Sequence, residues 1–83
     1  MAIEFFWVFE PGENVDHIRE HDPEPEDIEY AYATADEFTI SRSSGRPAFY
    51  GFARDGRDIF VVYEEIDSTM WYVVTAYPIS EVR

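Results

Sequence analysis

Lysine and cysteine are both missing from this 83-residue chain. Without cysteine, neither disulfides nor thiolate metal sites can hold the fold together. No apolar run approaches the roughly 20 residues that a membrane-spanning helix needs. The opening "MAIEFFWVFE" is apolar, but Glu4 interrupts it, no basic segment precedes it and no small-residue cleavage site follows. It reads as a strand and not as a signal peptide. The expectation is a soluble, cytoplasmic protein with no membrane partner. Nucleophile-elbow, phosphate-loop and dinucleotide-binding patterns are absent as well.

What is present is acid and aromatic carbon. The net charge is −12, and the chain holds seven Phe, six Tyr and two Trp. Large aromatic side chains let a small domain build an adequate core, so residues 1–83 form a single domain. The charge is uneven: residues 1–40 carry twelve acids against one arginine, whereas residues 41–60 carry four arginines against two acids. Such a chain repels nucleic acid at long range and attracts a basic partner. A solubilising surface is the plainer account of the same acids.

Turn signals divide the chain into seven elements. Residues 2–9 form a mostly buried first strand that stops at Pro11-Gly12. Residues 13–21 form a short helix with Val15, Ile18 and Arg19 at helical spacing, Asn14 as N-cap and Asp16 in the first turn. The segment "HDPEPEDIEYAYATADEF" holds a second helix. It is entered at Pro25, with Ile28, Ala31, Tyr32 and Ala35 on its apolar face. Four strands follow at 37–42, 47–54, 57–65 and 69–77. Asp55-Gly56 predicts a two-residue hairpin, because a type I′ turn needs positive φ at both central positions. The expected fold is α+β: an N-terminal strand, two helices packed on one face, then a four-stranded antiparallel meander.

Two features could carry chemistry. "HIREH" matches the H-x-x-E-H pattern of inverted zinc peptidases, with His17 and His21 four residues apart. Three fixed positions arise easily by chance, and so short a chain leaves little room for a third ligand and a cleft. His17 reads better as a packing or site residue and His21 as a cation at the helix C-terminus; no metal is expected. The second feature is "SRSSGRP" with "RDGR" beyond it, which places Arg42, Arg46, Arg54 and Arg57 within one short segment. Arginine binds phosphate bidentately and stacks on bases. Tyr50, Tyr63, Trp71, Tyr72 and Tyr77 come from the same sheet region. An arginine–aromatic sheet face suits RNA binding or cleavage. Alternatively, the arginines pair with the eighteen carboxylates of their own chain.

The layout resembles BrnT-like toxins of the RelE superfamily, and a related group of bacterial proteins of unassigned function. The segments that carry the likeness are "HIREHDPEPEDIEYA", "SRSSGRPAFYGFARDGRDIFVVYEEI" and "WYVVTAYPIS". The resemblance implies an mRNA-directed ribonuclease toxin, neutralised by a basic antitoxin or another protein partner and working without metal or cofactor. Carried onto this chain, it implies Arg46 and Arg57 as phosphate ligands, and His17 or Tyr63 as the proton carrier. Arg42, Tyr50, Arg54 and Tyr77 would line the substrate face. The rival expectation is a non-catalytic acidic interaction module with the same fold, and a third is a domain that dimerises through a sheet edge.

Overall fold

The computed structural model describes residues 3–79. It is α+β, with one five-stranded mixed sheet and two helices. The elements are β1 (Glu4–Phe5), α1 (Asn14–Arg19), α2 (Pro25–Ala33), β2 (Glu37–Ile40), β3 (Pro47–Phe52), β4 (Asp58–Glu65) and β5 (Met70–Pro78). The sheet order is β1-β5-β4-β3-β2. The last four strands pair antiparallel in chain order, and β1 joins β5 in parallel.

The first strand is far shorter than its apolar run. Only Glu4 and Phe5 pair with β5, and Phe6 and Phe9 are exposed; Ala2 lies outside the described residues. The reason is Asn14, which is not the N-cap but the first helical residue, with Glu13 in the cap position. Its fully buried amide donates to the Phe6 carbonyl at 2.8 Å and accepts from the Val8 N–H at 2.9 Å. The Phe6 N–H still donates to the Trp71 carbonyl of β5, but from the Phe6 carbonyl to the Val8 N–H a side chain takes the place of the neighbouring strand, and the strand stops.

Helix α2 begins as its sequence dictates. Pro25 occupies the first turn, and Glu24 and Asp27 form a reciprocal capping box with the N–H groups at the helix start. The helix ends before Ala35, with Thr34 at its C-cap. The Thr34 hydroxyl donates to the Tyr30 carbonyl and accepts from the Phe52 N–H of β3. Contact with β3 is close enough that a Cβ on Gly51 would overlap the Ala31 backbone. Glycine there is a packing requirement.

Under α2 lies the main core: Ile18, Ile28, Phe49, Val61, Tyr63, Trp71 and their neighbours. Tyr63 stacks on Trp71 with ring centroids 4.0 Å apart, and Tyr32 meets both Trp71 and Phe49 edge-on. Each large side chain buried this way contributes on the order of 2 kcal/mol. The opposite face of the sheet carries a smaller cluster of Ala48, Phe60 and Val62 flanked by Tyr50, Val74 and Tyr77. The register shift at Val62/Tyr63 adds a residue to β5 and switches which of its side chains face the core.

Two other expectations change. The β3–β4 connection is not a type I′ turn, because Asp55 does not take positive φ; Gly56 alone does, at +91°. Hydrogen bonds from Ala53 N–H to Arg57 C=O and from Gly56 N–H to Ala53 C=O close a three-residue loop. That is a type I turn followed by a left-handed glycine. In β2, Phe38 and Ile40 keep the expected alternation but are 55% and 58% exposed, because this is an edge strand that α2 does not cover. No helix among the described residues is long and apolar enough to cross a membrane.

Candidate functional site

The four arginines of residues 42–57 do not form one site. Arg46 precedes β3 and faces Glu64 near the end of β4, whereas Arg54 and Arg57 belong to the loop at the other end of the same two strands. Six residues of extended chain separate these ends, about 20 Å at the usual rise. Arg46 and Arg57, the phosphate ligands implied by the resemblance, are thus held apart by the length of the sheet.

At the loop end, the arginines are joined to carboxylates. Asp27 accepts from the Arg54 guanidinium at 2.9 Å and from the Arg54 backbone N–H at 3.2 Å, while its other oxygen accepts from Glu24 N–H. Burial pushes the Asp27 carboxyl upward, but Arg54 and the two backbone N–H donors outweigh it and hold the group below the usual carboxylate range. Arg57 donates to Asp22 at 2.9 Å and to Asp55 at 2.8 Å. A groove of about 410 Å³ runs between these five side chains. Every arginine in it already has a carboxylate, so an incoming phosphate would have to displace one.

At the other end, Arg46 reaches Glu64 at 3.1 Å in an exposed pair. Arg42 lies in the turn closed by Ser41 and Gly45, exposed, and is the one arginine among the described residues with no ion pair. It borders a second groove, of about 430 Å³, on the face of the sheet away from α2. The floor of this groove is an aromatic row across three strands. Tyr50, Phe60 and Tyr77 are direct register partners, with centroids 4.8 and 5.7 Å apart. The His21 ring extends the row, meeting Tyr77 edge-on at 5.8 Å.

The proposed proton carriers are in neither groove. Tyr63 is 95% buried on the α2 side, stacked on Trp71; burial, then Glu65 and Tyr32, push its hydroxyl above the ordinary tyrosine range. Tyr50, Tyr72 and Tyr77 thus share one face of the sheet, while Tyr63 and Trp71 occupy the other. His17 is exposed on α1, and His21 falls beyond the helix end at Arg19, so the H-x-x-E-H pattern does not present both rings from one helical face. No cluster of three metal-ligating side chains occurs among the described residues. Two features lie outside the sequence expectations: Asp27, whose signal was the Glu24–Asp27 spacing of a capping box, and the tyrosine–phenylalanine row, in which the parity of Tyr50 and Phe60 was readable but that of Tyr77 was hidden by the extra residue in β5.

Comparison with protein-family models, with curated proteins and with solved structures gives no match to this chain.

Proposed function

We propose that this chain is a non-catalytic, acidic protein-interaction module whose helical half receives a basic protein partner. One observation carries the proposal: four of the five described arginines are committed to carboxylates of the same chain, Arg19 between the helices and the other three divided between the two ends of the sheet. Phosphoryl-transfer chemistry without metal needs several cationic donors converging on one phosphate. Here those donors neutralise internal acid instead. The acids left over concentrate in the first forty residues, where Glu20 and Glu26 are exposed. Long-range attraction for a positively charged surface follows from that excess.

The test is a calorimetric titration with a lysine- and arginine-rich peptide. Binding should weaken steeply with added salt and fall several-fold in Glu20→Gln/Glu26→Gln, with the melting temperature unchanged. Equal binding by the wild type and the double variant would overturn the proposal.

One observation favours the ribonuclease reading implied by the BrnT/RelE resemblance: Arg42, without an ion pair, stands beside the Tyr50–Tyr77 row, where bases could stack. RNA cleavage that is lost in Arg42→Ala would replace the interaction module with that activity.

A further inference from the structure

The sheet finishes its two edges differently. On the β5 side, the two-residue β1 pairs with the start of the strand, and α1 packs along β5. On the β2 side, no described element follows. Exposed edges in monomeric proteins are usually blunted by lysine, proline, a bulge or a covering helix. The stretch Glu37–Ile40 has no lysine or proline, and Phe38 and Ile40 are more than half exposed.

We infer that β2 pairs antiparallel with β2 of a second copy of this chain, about a two-fold axis through Thr39. Three independent features agree on that register. The first is hydrogen-bond parity. Ser41 donates to the Arg46 carbonyl across the β2–β3 ladder, and Ile40 is the partner of Pro47. Alternation then directs the backbone groups of Thr39 toward β3 and those of Phe38 and Ile40 outward. A Thr39-centred pairing sets Phe38 of each copy opposite Ile40 of the other, and each such pair exchanges two backbone hydrogen bonds.

The second feature is the side-chain face. Phe38 and Ile40 sit opposite Phe49 and Pro47, both on the α2 side of the sheet. The register therefore joins two exposed Phe–Ile pairs into one apolar strip continuous with the core, through the Phe38–Phe49 ring contact at 5.5 Å. A shift by one residue would put apolar side chains opposite polar ones.

The third feature is charge. Asp36 and Arg42 flank β2 at equal distances from Thr39. The two-fold axis brings Asp36 of one copy beside Arg42 of the other, twice. Arg42 has no ion pair of its own; Asp36 already engages its own chain, so the contact is an added one. β2 ends where the least acidic segment, residues 41–60, begins, and the added Asp36–Arg42 contacts offset part of the repulsion between two acidic protomers. The surface is separate from the acidic helical half invoked above, and either proposal can fail without the other.

The experiment is sedimentation equilibrium on the full chain, with circular dichroism as the check on folding. The wild type should show a concentration-dependent doubling of mass. Ile40→Pro removes an outward N–H and the exposed Ile40 side chain of the apolar strip, leaves the β2–β3 ladder intact, and should give a folded monomer. Asp36→Arg and Arg42→Asp each create two like-charge contacts in a homodimer. Each should dimerise at least ten-fold more weakly than wild type, and an equimolar mixture should dimerise again because the opposite charges are restored. A wild type that stays monomeric to about 1 mM, a fully dimeric folded Ile40→Pro, or a mixture no tighter than its components would overturn the inference.

Discussion

The two ends of the sheet treat the same residue type in opposite ways. At the loop end, Arg54 ties the start of α2 to the loop through the nearly buried Asp27, while Arg57 reaches the α1–α2 connection through the exposed Asp22. At the turn end, Arg46 meets an exposed Glu64, and Arg42 has no ion pair. The difference lies in what the arginine reaches. A side chain that spans two elements and satisfies a nearly buried carboxylate contributes to folding, whereas one that meets a solvated acid on the adjoining strand contributes little.

Substitutions should break the loop end first. The largest effect is expected at Gly51, where a methyl group would overlap the Ala31 carbonyl and force α2 off β3. Gly51→Ala should cost about 4 kcal/mol or more, or prevent folding, as read by urea denaturation. Next comes Asp27→Ala, which leaves the Glu24 and Arg54 N–H groups without an acceptor and should cost about 2 kcal/mol by the same measurement.

Acid should reproduce that loss. The carboxyl of Asp27 is held below its unfolded value near 3.9, so its stabilisation is present above that pH and disappears as pH falls through the lower, folded value. Thermal melts between about pH 5 and 2 should therefore show a smaller acid-induced decline in Asp27→Asn than in the wild type. At the turn end, Arg46→Ala should change stability by no more than about 1 kcal/mol, and Arg42→Ala by less than that. A cost at Arg46 equal to that at Asp27 would erase the distinction between the two ends.

The strand–helix order was legible because its signals are local: Pro25 with acids around it, Asp55-Gly56 between two β-rich runs, Pro11-Gly12 after the first strand. The length of β1 was not, because it is set by Asn14 reaching back to Phe6 and Val8, a contact between segments. For the same reason Tyr63 and Tyr77 looked equivalent: the extra residue near Val62/Tyr63 alters the parity of β5, and alternation counted along the sequence cannot register it. The clustering of arginines was a clustering in sequence only. A six-residue strand placed between Arg46 and Arg54 converts neighbours along the chain into opposite ends of a sheet. Whether each arginine would find a carboxylate depended on where α2 and the Asp22 turn come to rest, which no local pattern encodes.

The most direct test of the structural role assigned to the arginines is to incubate the purified wild-type chain with single-stranded RNA, beside Arg46→Ala and Arg57→Ala, and follow the full-length band. Intact RNA is expected with all three proteins. Cleavage by the wild type that disappears in Arg57→Ala, with that variant still folded, would contradict that role.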